Sequence, residues 1–307
     1  MTETPILFLI FNRPDTSFTV FNAIRKAQPK RLYVAADGPR KDNENDRLKC
    51  LQSRAVINVD WDCEVKLLFR EKNMGCKMAV SEAISWFFDQ EEQGIILEDD
   101  CLPHPSFFPY CEELLNYYKN DERIMLISGD NFQNGKIRGN ASYYFSHYPH
   151  IWGWASWRRA WNHYDVNMAS YPLFKEENGI GEIFKNVDAQ RYWMRKLEKA
   201  YRKEVNTWDY QWTYAIWNQG GLTILPQKNL ISNIGYTTGG THTTVVDKDM
   251  ADLPVFEMMI PLTHAQKILA NKAADKYTFK RLFKKSWIKK LMLLPYVDWS
   301  EVLSKKK

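Results

Sequence analysis

GIILEDDCLP, residues Gly94–Pro103, decides how the chain is read. A short continuous apolar run that stops at charge is the pattern of a strand buried on both faces of a parallel sheet. Glu98, Asp99 and Asp100 follow it directly. Three adjacent carboxylates repel one another. A divalent cation would relieve that repulsion, since Mg²⁺ and Mn²⁺ prefer hard oxygen ligands and a strand end holds such ligands rigidly. A solvated turn or a helix N-terminus also favours acids. The position of the triplet, after a buried strand and before Cys101-Leu102-Pro103-His104-Pro105, favours the cation.

Outward from this stretch, strands and helices alternate. Pro5–Phe11 (PILFLIF), Arg31–Ala36 (RLYVAA), Glu64–Phe69 and Arg123–Ile127 read as strands beside Gly94–Leu97. Between them, helices are expected from a cap at Asp15 to Pro29, over Asp42–Val59, over Cys76–Phe88 and over Pro105–Tyr118. Alternation at this spacing predicts an α/β fold of right-handed βαβ units around a mostly parallel sheet. Ligands of such sheets bind beyond the carboxyl ends of the strands. Four polar clusters fall there: Asn12-Arg13, Asp37-Gly38, Arg70 to Gly75, and the acidic triplet.

With 307 residues, the chain can bury a large core without disulfides or a structural metal. Hydrophobic residues make up 45% and charged residues 26%, which excludes a disordered chain. No apolar run approaches the ~18–20 residues of a membrane-spanning helix, and Pro5–Phe11 is too short for a signal peptide. Five cysteines without C-x-x-C spacing fit reduced thiols and a cytoplasmic setting. Twelve tryptophans suit a core, or a cleft in which sugars or bases stack. The net charge of +5 hides an asymmetry: Lys267–Lys307 carries 12 Lys/Arg against 3 Asp/Glu, so the preceding residues are net acidic. Nucleic-acid binding would call for basic residues across a working face, so it is not expected.

ILEDDCLPHPSFFPYCEELLNYY resembles the segment around the acidic motif of GT-A glycosyltransferases, closest to the N-acetylglucosaminyltransferase I type and to bacterial family-2-like nucleotide-sugar transferases. Asn12-Arg13-Pro14, Asp37-Gly38, YPHIWGWASWRRAW and TWDYQWTYAIWNQGGLTILPQKNLISNIG extend the resemblance over roughly residues 4–245. It implies a GT-A domain, expected over 1–262; residues 246–307 lie outside the resemblance, and 263–307 reads from its own charge and apolar pattern as a basic amphipathic extension. It also implies a metal-dependent, inverting transferase that moves a hexosyl or N-acetylhexosaminyl group from a nucleotide-diphosphate sugar, UDP-linked, to a glycan or lipid-linked acceptor. Asp100 then binds Mn²⁺ or Mg²⁺, Asp99 the ribose, Glu98 the water shell of the metal and Asp37 the base. Arg13 pairs with a phosphate, and Arg70, Asn73, Gly75 and Lys77 close over the donor. Asp209, among aromatics, is the expected base, with Glu204 and Asp165 in reserve.

His242, in Gly239-Gly240-Thr241-His242-Thr243, is a second candidate at the metal or diphosphate. Trp154, Trp157 and Trp161 have helical spacing, so Trp154 belongs either to a core or, with Trp208, to an acceptor wall. Ser128 to Asn131 could reach the donor sugar. Lys276–Leu294 reads as a basic amphipathic helix that could hold the chain at an anionic inner membrane face, or pack on the body. Two rivals remain. A sugar-1-phosphate nucleotidyltransferase would carry a Gly-rich basic loop after the first strand, which Ile10–Pro14 lacks. A non-catalytic glycan-binding protein would not need the acidic triplet.

Overall fold

A computed structural model describes residues 1–235 and 252–284. His242 lies outside the described residues, as does the basic stretch beyond Lys284. The chain opens with β1 (Ile6–Ile10), α1 (Pro14–Ala27), β2 (Arg31–Ala36), α2 (Glu44–Ala55), β3 (Glu64–Phe69), α3 (Gly75–Gln90) and β4 (Gln93–Glu98). There follow β5 (Cys101–Pro103), α4 (Phe107–Tyr117), β6 (Ile124–Ser128), β7 (Tyr143–Ser146), β8 (Trp154–Trp157) and α5 (Arg158–Trp161). The last part holds α6 (Tyr171–Glu176), α7 (Gly179–Ile183), α8 (Val187–Tyr201), α9 (Asp209–Asn218), β9 (Leu222–Pro226), β10 (Ile231–Asn233), α10 (Lys272–Thr278) and a π-helical turn, Phe279–Lys284.

Eight strands form one sheet in the order β3-β2-β1-β4-β8-β6-β9-β7, and β5 pairs with β10 in a two-stranded ribbon. β3, β2, β1 and β4 run parallel, as do β6 and β9, while β8 and β7 are antiparallel to their neighbours. The sheet is α/β and mostly parallel, as the strand–helix alternation predicts. Every residue of β1 is buried because helices cover both faces. Ile6, Phe8 and Ile10 face Phe21 and Ile24 of α1; Leu7 and Leu9 face the side of Ile84 and Phe87 of α3. Strand order reverses between β1 and β4, so the carboxyl ends of these two strands flank a crevice.

Three expectations change. α1 starts at Pro14, whose fixed φ suits the first helical position, so Asp15 lies in the first turn and is not the cap. Trp154 and Trp157 lie on β8, not on a helix, because pairing with β4 and β6 outweighs a spacing that fits either element. The third concerns the C-terminal extension, whose described part is built into the body. Asp275 of α10 accepts hydrogen bonds from Ser146 Oγ (2.6 Å) and His147 Nδ1 (2.9 Å). Phe279 is buried, and Phe283 packs on Trp193, Tyr148 and Tyr192. As far as Lys284, the apolar side expected to enter a membrane packs on the body through the buried Phe279 and the half-buried Phe283.

Candidate active site

A cleft of about 550 Å³ opens over the carboxyl ends of β1, β2, β3 and β4. β1 delivers Arg13, β2 Asp37, β3 Arg70, and β4 Glu98 with Asp99 and Asp100; all line the cleft. Arg13 bridges the crevice between β1 and β4, with its Nη1 2.5 Å from Asp100 Oδ2 and 3.5 Å from Asp99 Oδ1. Burial alone would lower the Arg13 pKa, but the Asp99 and Asp100 charges raise it, so the guanidinium stays charged. Asp99 also accepts from the Phe11 backbone N–H at 3.1 Å. Burial pushes Glu98 and Asp99 well above the usual carboxylate range, and the Asp100 charge adds to both shifts.

The ribbon seats Asp100. β10 runs antiparallel to β5, and the Ile234 N–H donates to the Asp100 carbonyl at 2.8 Å. Gly235 follows, packed so closely that a Cβ there would overlap Asp100 Oδ2. The described chain therefore reaches the acidic triplet a second time at Asn233 and Gly235, both in the cleft wall.

Asp37 lines the cleft and also holds a loop. Its carboxylate accepts from Asn73 Nδ2 (2.9 Å) and from the backbone N–H groups of Gly38 (2.8 Å), Met74 (2.9 Å) and Gly75 (3.2 Å). Its acceptor capacity is spent on tying the 73–75 loop and the start of α3 to the end of β2. Gly38 makes the approach possible, because a Cβ there would overlap the Lys72 backbone. Asn73 is thus the partner of Asp37, and Arg70 pairs with Glu82 at 2.8 Å while still lining the cleft. Lys77 lies one turn into α3 and is not in the cleft wall; its backbone N–H donates to Asn206 Oδ1 at 3.2 Å.

Asn206, Thr207, Trp208 and Asp209 form another part of the wall. The Thr207 hydroxyl donates to Asp209 Oδ1. Burial raises the Asp209 carboxyl above its ordinary range, opposed by this hydrogen bond. Asp209 is close enough that its charge helps to raise Glu98. Trp208 stacks on Trp154 at 5.8 Å and lines the cleft, but Trp154 is 0% exposed and packs on Trp161 and Trp212. Trp154 is therefore core and cannot touch an acceptor; beside Trp208 the wall holds Trp152, whose backbone N–H donates to Asp130 Oδ2 at 3.1 Å. Asp130, expected near the donor, is buried behind that backbone. Of the reserve acids, Glu204 and Asp165 do not line the cleft. Sequence reasoning missed Asn206, Cys76, Trp152 and Arg40; only Trp152 carried a signal, as part of a tryptophan-rich run. Burial pushes the Cys76 thiol up to about 12, so it is no nucleophile near neutrality.

No protein-family model and no curated protein sequence matches the chain. The solved structures it is similar to include glycosyltransferases and a UDP-glucose pyrophosphorylase. One is the mannosyltransferase PcManGT from Pyrobaculum calidifontis in complex with GDP-Man and Mn²⁺, at 12% identity over 50% of this chain and 44% of that one, TM-score 0.35. Another is GalNAc-T7 with UDP, GalNAc and Mn²⁺, at 14% identity over 74% of this chain and 43% of that one, TM-score 0.44. A third is S. aureus TarS 1-349, at 9% identity over 74% and 59%, TM-score 0.38. The chain spans less than half the length of the first two.

The residues of the cleft suit a hard cation of low protein coordination. No group of three or more His, Cys, Asp or Glu side chains among the described residues encloses a metal site. Asp100 nonetheless presents a carboxylate to the cleft beside two further acids. Mg²⁺ and Mn²⁺ are commonly held this way, by one or two carboxylates with the other positions left to water and phosphate oxygens. No helix among the described residues is long and apolar enough to cross a membrane.

Proposed function

We propose that the chain is a glycosyltransferase that moves a sugar, with inversion, from a UDP-linked donor to a glycan or lipid-linked hydroxyl. The observation that carries this reading is one cleft that gathers the acidic triplet, Arg13 and Arg70, and the buried Asp209. A diphosphate needs positive charge, a ribose needs acceptors, and an attacking hydroxyl needs a base; the cleft has side chains for all three. Asp100 would hold a Mn²⁺ or Mg²⁺ ion, which would neutralise the departing diphosphate. Arg13 then leaves Asp100 for a phosphate oxygen, as a guanidinium fork suits. Asp99 accepts from the ribose hydroxyls. Asp209 takes the acceptor proton as the acceptor oxygen attacks the anomeric carbon and the bond to the phosphate oxygen breaks. Burial favours the protonated acid, so proton transfer to Asp209 is easier than to an exposed aspartate. Trp152, half-buried in the cleft wall, offers a ring against which an acceptor sugar can rest, whereas Trp208 is 2% exposed and too buried for that contact. Asp37 acts by holding the 73–75 loop in place.

Calorimetry with UDP tests the donor site. Binding should need Mn²⁺ and should be lost in Asp100→Ala; UDP binding unaffected by EDTA would remove the cation from the reading. A panel of nucleotide sugars scored by hydrolysis would then identify the sugar. Contact with an anionic membrane now rests on the basic residues beyond Lys284, outside the described residues; sedimentation with anionic vesicles at low and high salt tests it.

A further inference from the structure

Two side chains of the cleft wall carry polar groups that the fold itself does not use. Asn73 donates through Nδ2 to Asp37 Oδ2 and to the Gly38 carbonyl, each at 2.9 Å. Both partners are acceptors, which fixes the amide with its Oδ1 turned away from them. Among the described residues nothing donates to that oxygen, and Asn73 lines the cleft. Asp37 therefore fixes the direction of an acceptor as well as the course of a loop.

Arg40 supplies a matching donor. Its guanidinium forks onto Asp46 of α2, Nε to Oδ2 and Nη2 to Oδ1 (2.8 Å), and lies over the Phe11 ring at 5.8 Å. Asp46 is 2% exposed and accepts a further bond from Asn12 Nδ2 at 2.8 Å, so the anchor is rigid. The fork leaves Nη1 without a partner among the described residues, on a side chain that is 49% exposed and lines the cleft. Arg40 follows closely on the Asp37 that holds Asn73, so both groups belong to the β2 end of the cleft. In the sheet order β1 separates that end from β4, which carries the acidic triplet. Ala35 and Ala36 line the same cleft, and their small side chains leave room for a flat ring.

We propose that Asn73 Oδ1 and Arg40 Nη1 together read the nucleobase of the donor, and select a ring that presents an N–H beside a carbonyl oxygen. The inference rests on the cleft being a nucleotide-sugar site, and it names the residues that choose the nucleotide. Uracil offers the pair as N3–H beside a carbonyl, and guanine offers it as N1–H beside O6. Cytosine and adenine present a bare ring nitrogen beside an amino group. Against Asn73 that sets lone pair on lone pair, and against Arg40 hydrogen on hydrogen, so polar groups are left unpaired inside the site. The ring is tethered through its ribose to the diphosphate, which opposes the slide that would match the groups again. Asp37 and Asp46 are positioning residues in this scheme: each holds the side chain that meets the base.

Calorimetry of the full chain with Mn²⁺ and each of UDP, GDP, CDP and ADP is the first test. UDP or GDP should bind tightest, with CDP and ADP weaker by about tenfold or more. The tighter of UDP and GDP is then replaced by its analogue methylated at the ring N–H. In the wild-type chain the methyl group should weaken binding by about tenfold or more. In Asn73→Ala that loss should vanish, because the oxygen that meets the N–H is gone. Asp37→Asn is the control: it loosens the same loop but keeps the Asn73 oxygen, still held by the Gly38 carbonyl, so the loss should persist. Arg40→Lys keeps a charge against Asp46 without the second fork nitrogen. It should weaken the parent nucleotide severalfold and leave the methyl loss in place. CDP or ADP binding tightest, a methyl group without effect in the wild type, or a methyl loss that survives Asn73→Ala or vanishes in Asp37→Asn overturns the proposal, as does wild-type affinity in Arg40→Lys. Each of these leaves the nucleotide-sugar reading standing, whereas binding of none of the four nucleotides would overturn both.

Discussion

Asp209 and Asp37 show how much a single carboxylate depends on its setting. Asp209 is buried with its carboxyl raised, and as the proposed base it would work only when ionised. Turnover should fall as pH drops through a midpoint above the ordinary aspartate value of about 3.9. Asp209→Asn should lower kcat by ~10²–10⁴-fold and abolish that acid limb, while UDP affinity holds. A pH–rate profile of both proteins checks this, and an unchanged limb in the variant would assign it to another group. Asp37→Asn sets an amide NH₂ against the donors of Asn73, Met74 and Gly75. The 73–75 loop should then loosen, with faster amide exchange at Met74 and Gly75 and a raised donor KM. Direct base recognition by Asp37 would raise KM with no change in exchange. The sequence shows an acid before a glycine after a strand, which fits both roles. It could not show that the 70–75 loop comes back to occupy that acid, because the contact depends on β3 lying beside β2.

Among the elements, β1, β2, β3, β4 and β6 were legible, each within a residue of its expected bounds. All but β3 are near-continuous apolar runs buried on both faces, whose pattern needs no partner to be recognised; β3, half exposed, was legible from its place in the strand–helix alternation. β8 was not legible, since tryptophans at 154, 157 and 161 fit a helix until pairing with β4 and β6 is known. The acidic triplet and Asp209 were found because charge beside an apolar or aromatic run is a local signal. Asn206 gives none; it matters because α3 begins beside it. The C-terminal segment left two readings open for a related reason, because a basic helix with an apolar side can lie on a membrane or on its own body. Phe279 settles the described part. Phe279→Ala should destabilise the fold by ~3–5 kcal/mol, as truncation of a buried ring does, read by chemical denaturation. A loss under about 1 kcal/mol would mean that the segment is only lightly held.

Across the whole molecule, the site costs stability that a ligand can return. Burial, with the Asp100 charge, raises the Glu98 and Asp99 carboxyls. The folded state then holds their protons more tightly than the unfolded chain does. Stability from this source is full below the ordinary carboxylate value and is lost as pH rises through the raised ones. In EDTA the melting midpoint should fall from about pH 5 to about pH 8, and Mn²⁺ should flatten the decline. A midpoint that rises over that range in EDTA would contradict the buried acids.

The interleaving of the strands has a consequence for the birth of the chain. β3, β2, β1 and β4 can assemble in the order in which a ribosome releases them. Beyond β4, the sheet cannot grow in that order. Ile95 and Ile96 wait for Ala155 and Trp154, and Leu126 waits for Thr223. Until then the nascent chain presents an apolar, unpaired β4 edge, the kind of surface on which chains aggregate. Glu98, Asp99 and Asp100 cap the end of that edge with charge, as gatekeeper residues do. Ribosome-bound chains stalled before residue 150 should recruit a holdase chaperone, and chains stalled with β9 fully emerged should release it; equal recruitment at both lengths would count against this order. The acids proposed to hold a cation in the finished fold would then have served first as a guard for the unfinished chain.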